Sequence, residues 1–247
     1  MNNLDFVKIL GIKINKVDMN QAYDHFLNIL KNDNTSSICT PNPEMVMMAQ
    51  KDKELKEAIY NSDLIIPDGI GLIYASKIYK LGLEKRVAGI DFMEEILKYS
   101  NRTKKKVFLL GAKPGVAKKA KKNILYEYNN IDIVGVHHGY FDEKEELEVI
   151  DLINEKKPDI LFVALGAGKQ EKWIEKNKKI LNVSVAMGVG GCLDVWAGNV
   201  KRAPKLFINL HLEWLYRFIK QPTRLPRIFK IPEFMIKVLL NKQSMES

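Results

Sequence analysis

Short apolar runs alternate along this chain with stretches of helical period. Phe6 to Ile14 alternates as a strand does, and Asp18 to Leu30 opens on an acidic cap with Ala22, Phe26, Ile29 and Leu30 at helical spacing. Ser36 to Thr40 predicts a second strand, which Pro41-Asn42-Pro43 ends in a rigid polar loop, and a helical pattern follows from Glu44 to about Tyr60. Further apolar runs at Leu64 to Ile66, Lys106 to Leu110, Ile131 to Val136, Pro158 to Leu165 and Val183 to Met187 each end at or near a glycine. Helical patterns cover Val116 to Tyr128, Glu143 to Lys156 and Lys169 to Lys179. This alternation predicts an α/β fold, a mostly parallel Rossmann-like sheet with helices on both faces. Ligands of such sheets gather beyond the C-terminal strand ends. Thr40, Asn42, Asp68, Gln170 and Asp194 all fall just after a predicted strand.

The pattern changes near Pro204, which divides the chain into a predicted α/β core, residues 1–200, and a basic amphipathic helical appendage, residues 201–247. In the appendage Lys205, Asn209, Glu213, Arg217 and Lys220 recur about every four residues and form one narrow polar stripe. Phe207, Leu210, Trp214, Leu215, Phe218 and Ile219 cover the rest. A second segment repeats the design with Glu233, Lys237 and Asn241 set against Phe234, Met235, Ile236, Val238, Leu239 and Leu240. Aromatic and aliphatic bulk interleaved with Lys and Arg suits an anionic membrane surface. The same pattern suits helices capping the sheet domain or meeting a second copy of the chain, and it leaves these options open.

Charge sharpens the division. Of 247 residues 39 are Lys or Arg and 30 Asp or Glu, a net of +9, and residues 201–247 hold 10 of the bases and only 3 of the acids. Such a balance favours polyanionic partners, but its confinement to the tail argues against a nucleic-acid groove spread over the sheet domain. Cys39 and Cys192 have no His partner at metal-ligand spacing, so neither a disulfide framework nor a zinc site is expected. No secretory signal is read in Met1 to Leu10 and no transmembrane run is found, so a cytoplasmic protein is expected.

The glycine clusters fail most nucleotide signatures. Gly166-Ala167-Gly168-Lys169-Gln170-Glu171 lacks the Ser or Thr and upstream glycine of a Walker loop, and Glu171 stands where a dinucleotide fingerprint needs glycine, which disfavours an NAD-dependent oxidoreductase. Gly111 to Gly115 has the form of a phosphate turn but reads better as a plain strand-to-helix turn. Gly188-Val189-Gly190-Gly191 followed by Asp194 offers bare backbone to a planar ligand and a carboxylate to sugar hydroxyls, or else tight packing. No Asp-x-Asp pair is present to hold a metal on a nucleotide diphosphate, so no metal or other cofactor is expected. His137 and His138 read best as locally bonded histidines. Asp68, between Pro67 and Gly69, reads either as a helix cap or as a general base toward a hydroxyl.

Taken together, Thr40-Pro41-Asn42-Pro43-Glu44, Pro67-Asp68-Gly69-Ile70-Gly71, Arg86-Val87-Ala88-Gly89-Ile90-Asp91, Ala164 to Glu171 and Gly188 to Asp194 resemble the WecG/TagA/CpsF glycosyltransferases, glycosyltransferase family 26. The basic tail with Arg217, Arg224 and Arg227 is most similar to the branch that builds the wall teichoic acid linkage unit in Gram-positive bacteria. The resemblance implies inverting transfer of N-acetylmannosamine from its UDP donor to the 4-hydroxyl of undecaprenyl-diphosphate-linked GlcNAc, giving a β-1,4 bond. Other UDP-sugar donors, N-acetylmannosaminuronic acid or a hexose, remain alternatives. It further implies Asp68 as general base, with Thr40, Asn42, Arg86 and Gln170 around it. Tyr140, Gly166, Gly188, Val189, Gly190, Gly191 and Asp194 fall on the nucleotide side, and Arg217, Arg224 and Arg227 on the lipid diphosphate. The implied location is peripheral, on the inner face of the plasma membrane.

Overall fold

The first alternating segment is a hairpin rather than the single strand its period predicts. β1 (Phe6–Ile9) and β2 (Ile12–Asn15) pair antiparallel, because Leu10 and Gly11 both take positive φ, 51° and 72°, and close a two-residue turn. Alternation survives on either side of the turn, with Val7, Ile9, Ile12 and Ile14 all buried. The computed structural model describes residues 4–210, 212–220 and 230–246.

Among these residues six further strands form one sheet. β3 (Ser36–Cys39), β4 (Leu64–Ile65), β5 (Lys106–Gly111), β6 (Asp132–His137), β7 (Ile160–Ala164) and β8 (Val185–Gly188) lie in the order β4-β3-β8-β7-β5-β6, and every pair is parallel. The strands read as continuous apolar runs because both faces are covered. In β5, Val107 and Leu109 join the core under α1 (Met19–Ile29), α5 (Gly89–Thr103) and α6 (Val116–Glu127). Phe108 and Leu110 instead join the core under α7 (Glu143–Lys156) and α8 (Lys169–Asn177). Beside the latter, α2 (Pro43–Ala49), α3 (Lys53–Tyr60) and α4 (Ile70–Tyr79) bury Met45, Met47, Leu55, Ile59 and Leu72 with the hairpin. The helical pattern from Glu44 to Tyr60 is thus two helices. Asp52 accepts the Leu55 N–H at 3.0 Å and starts a new one, as Asn42 starts α2.

After β8 comes the short α9 (Cys192–Trp196), whose Leu193 packs on the α5 and α6 side, whereas the helices after the flanking β3 and β7 pack on the other face. The connections thus change face on both sides of β8, and open α/β sheets bind ligands at the carboxyl ends of strands where this happens.

The tail divides. Its polar stripe is interrupted between α10 (Lys205–Asn209) and α11 (Glu213–Lys220), where the Leu212 N–H donates to the Phe207 carbonyl. The C-terminal helix (Lys230–Leu240) packs on α2 and α4, with Phe234 and Val238 fully buried among their side chains and the Tyr79 hydroxyl donating to the Val238 carbonyl at 2.7 Å. Lys8 and Glu246 then exchange backbone hydrogen bonds of 2.8 and 3.1 Å along the hairpin edge. Of the options left open for the tail, residues 230–246 take the docked one. Leu206, Leu210, Trp214, Ile219, Ile236, Leu239 and Leu240 stay exposed. Among the described residues no helix is long and apolar enough to cross a membrane.

If the C-terminal helix belongs to the core in this way, Phe234→Ala should cost about 3–5 kcal/mol of unfolding free energy, read as a lower urea midpoint with unchanged slope. A loss below about 1 kcal/mol would show that the helix is not seated as described.

Candidate active site

Two loops, after β3 and β4, meet at the carboxyl edge of the sheet because glycines let them touch. A Cβ on Gly69 would lie 2.7 Å from Pro43 Cδ, and one on Gly71 would lie 2.7 Å from Pro43 Cγ. The Asp68 N–H donates to the Pro41 carbonyl at 3.0 Å, which fixes one loop on the other. The cap position of α4 is Gly69, with no side-chain cap, so Asp68 does not serve as the helix cap. Its Oδ1 instead accepts from Arg86, Nη2 at 3.2 Å and Nε at 3.4 Å. Its Oδ2 lies toward Gly89, where a Cβ would come 3.4 Å from that oxygen and 3.2 Å from Thr40 Oγ1. Glycine at 89 thereby leaves Asp68 and Thr40 facing one gap. Thr40 also reaches β8, at 3.5 Å from the Gly188 carbonyl. Asn42 is placed differently: its Oδ1 accepts the Met45 N–H at 3.0 Å and caps α2.

Arg86 is shared. Besides Asp68 it donates to Glu213 Oε2 at 3.1 Å, and Glu213, the first residue of α11, is almost wholly buried. Burial works against the guanidinium charge, but Asp68 and Glu213 outweigh it and hold the group above its ordinary pKa. The tail thus enters the site through Glu213, an acid of its polar stripe. A second link pairs Arg202 with Asp91 in the first turn of α5. Arg217 belongs to α11, one turn beyond Glu213. Arg224 and Arg227 lie outside the described residues.

Of the residues expected on the nucleotide side, all but Tyr140 lie just after β7 and at or just after the end of β8. Gly166 and Gly190 have φ of 93° and 51°, and a Cβ on either would meet nothing within 4 Å, so both offer backbone to open space. Gly188 is the opposite kind: a Cβ there would come 2.6 Å from Gln170 Nε2. Gln170 itself is buried and its Oε1 accepts the Gly190 N–H at 2.9 Å, so it shapes the glycine loop rather than facing solvent. Val189 is buried, its N–H donating to the Val163 carbonyl, and Gly191 is exposed. Asp194, half-buried in α9, accepts the Asn199 and Val200 N–H groups at its carbonyl.

Tyr140 stands apart. It is exposed, just past the end of β6, the edge strand five spacings of about 4.8 Å from β4. Neighbouring His137 and His138 make the local bonds expected of them, His137 Nδ1 to the His138 carbonyl and His138 Nδ1 to the Tyr140 N–H. Among the described residues no three His, Cys, Asp or Glu side chains are grouped to hold a metal ion. Sequence reasoning missed Glu213, Glu171 and Gly89. Gly89 and Glu171 carried a signal, each lying in a segment of the resemblance at the start of a helix, and Glu213 carried none.

Comparisons with known proteins give the family. The model of the glycosyl transferase WecG/TagA/CpsF family matches residues 7–247. The chain is 40% identical over 207 residues, 84% of its length and 80% of the relative's, to the N-acetylglucosaminyldiphosphoundecaprenol N-acetyl-beta-D-mannosaminyltransferase of Bacillus subtilis (strain 168). It is 37% identical over 247 residues, 99% of its length and 96% of the relative's, to the protein of the same name from Staphylococcus aureus (strain MW2). With a parallel α/β sheet and a family match over nearly its whole length, this chain belongs to the WecG/TagA/CpsF glycosyl transferases.

Proposed function

We propose that this protein transfers N-acetylmannosamine from UDP-N-acetylmannosamine to the 4-hydroxyl of GlcNAc on undecaprenyl diphosphate, forming a β-1,4 bond with inversion. The acceptor and the transferred group follow the names of its relatives. The observation that carries the mechanism is Asp68: a carboxylate at a strand end, released from capping, held on one oxygen by Arg86 and turned with the other toward Thr40.

In this reading the acceptor oxygen attacks the anomeric carbon from the face opposite UDP. Its proton passes to Asp68, the new C–O bond forms, and the electron pair of the broken bond leaves with UDP. An aspartate is a modest base, with an ordinary pKa of about 3.9, so positioning supplies much of the effect, and the Arg86 fork supplies the positioning. Arg86 already answers two carboxylates. Charge relief on the departing diphosphate is therefore assigned to Arg217, Arg224 and Arg227 and to the backbone N–H groups of the glycine loops. Tyr140 and Asp194 are assigned to the nucleotide. The exposed apolar residues of α10, α11 and the C-terminal helix, interleaved with bases, suit the inner face of an anionic membrane, where the lipid acceptor lies.

Asp68→Asn should lower turnover by about 10²–10⁴-fold while UDP-sugar affinity, read by calorimetry, stays within a few fold. Near-normal turnover would remove Asp68 from the chemistry. Offered a panel of UDP-sugars and a short-chain GlcNAc diphospholipid, with and without EDTA, the protein should yield the N-acetylmannosamine product by mass in both conditions. Another sugar as the preferred donor, or loss of product with EDTA, would correct the assignment. Leu210→Glu with Trp214→Glu should weaken co-sedimentation with anionic vesicles, each lost apolar side chain removing about 1.5–3 kcal/mol of burial. Unchanged sedimentation would place the lipid contact elsewhere.

A further inference from the structure

The loops after β7 and β8 are joined by three hydrogen bonds that converge on Glu171. The Gly190 N–H donates to Gln170 Oε1 at 2.9 Å, Gln170 Nε2 donates to Glu171 Oε1 at 2.8 Å, and the Gly168 N–H donates to Glu171 Oε2 at 2.7 Å. Gln170 is 2% and Glu171 4% exposed, so water does not substitute freely for any of these partners. The pair is seated against the backbone of β8, since a Cβ on Gly188 would lie 2.6 Å from Gln170 Nε2 and 2.9 Å from Glu171 Oε1.

Direction is the point. An amide has one accepting end and one donating end, whereas a carboxylate accepts at both oxygens. Glu171 therefore compels Gln170 to turn its NH₂ inward and its carbonyl toward Gly190. An uncharged amide at 171 would accept from Gly168 and present its own NH₂ to Gln170. Gln170 would then flip, and its NH₂ would confront the Gly190 N–H, donor against donor. Burying an acid here is unfavourable, and burial raises the Glu171 carboxyl above its ordinary range despite the bonds from Gln170 and the backbone. Glu171 also caps the first turn of α8 by accepting the Gly168 N–H, but a neutral glutamine would accept that bond as well, and only a carboxylate also fixes the sense of the Gln170 amide.

We propose that Glu171 is the positioning residue of the glycine-rich loop: by fixing the sense of the Gln170 amide it holds the Gly190 N–H and presets Gly188 to Gly191 to receive the nucleotide-sugar donor. This rests on the reading of that loop as the donor side. Glu171 acts through Gln170 and touches no substrate.

The test compares full-length wild type, Glu171→Gln, and the swap Gln170→Glu with Glu171→Gln. The swap restores an accepting group at every position: the carboxylate now at 170 accepts from Gly190 and from the amide at 171, which accepts from Gly168. Amide hydrogen exchange over residues 188–191 and steady-state kinetics with the UDP-sugar are read on each. Glu171→Gln should exchange about tenfold faster at Gly190 and raise KM for the donor about tenfold, with kcat altered less, and the swap should return both to within a few fold of wild type. Unchanged exchange and KM in the single variant, or a swap no better than it, overturns the proposal. Restored exchange with KM unmoved in all three upholds the relay and overturns the assignment of this loop to the donor. If the single variant does not fold, the swap decides alone, and a swap that is unfolded or unprotected overturns the proposal, because it keeps every hydrogen bond.

Discussion

A desolvated guanidinium must be met by negative charge, and Arg86 is met from two directions, by Asp68 of the β4–α4 loop and by Glu213 at the start of α11. The three side chains are only 18%, 26% and 5% exposed, so solvent screens them little. Removing Arg86 would leave two carboxylates facing each other without their shared cation, and removing either acid would leave the guanidinium wholly to the other. The proposed base and the first turn of the tail helix are therefore parts of one electrostatic unit. Where α11 goes, the guanidinium that steadies Asp68 is affected too.

The rest of the site follows from the sheet. Parallel strands send every carboxyl end to one edge, and the order β4-β3-β8-β7-β5-β6 brings Asp68, Thr40, the β8 glycines and the β7 glycines into succession along it. Glycine does two jobs there. At 69, 71, 89 and 188 its missing side chain lets loops or polar groups come within contact of backbone, while at 166 and 190 it bares backbone to open space. Both kinds look alike in a sequence, and they have opposite consequences for a ligand.

The parallel sheet was legible because a strand covered on both faces has to be apolar throughout, as β7 is and as β5 is after Lys106. Turns and breaks were less so. Leu10-Gly11 interrupts an alternation whose buried positions resume past it, and α2 stops at Ala49 before Asp52 starts α3 within the same apolar pattern. Asp68 was ambiguous in sequence because a cap and a base use the same carboxylate, and only the Gly69 cap position separates them. Glu213 was hidden for a different reason. A polar stripe at helical spacing reads as a solvated face, and nothing local to it announces that one member turns inward to a cation 127 positions away. The apolar tail was similarly two-valued: Phe234 and Val238 face the core from the same helix whose Ile236 and Leu239 face out.

The central claim, that Glu213 and Arg86 act on the chemistry as one unit with Asp68, is tested most directly by a double-mutant cycle. Arg86→Met, Glu213→Gln and the double variant are compared by kcat/KM for the transfer reaction. A coupled unit predicts strong non-additivity, the double variant losing little more than the worse single one, with a coupling energy above about 1 kcal/mol. Losses that simply add, within about 0.3–0.5 kcal/mol, would contradict the account.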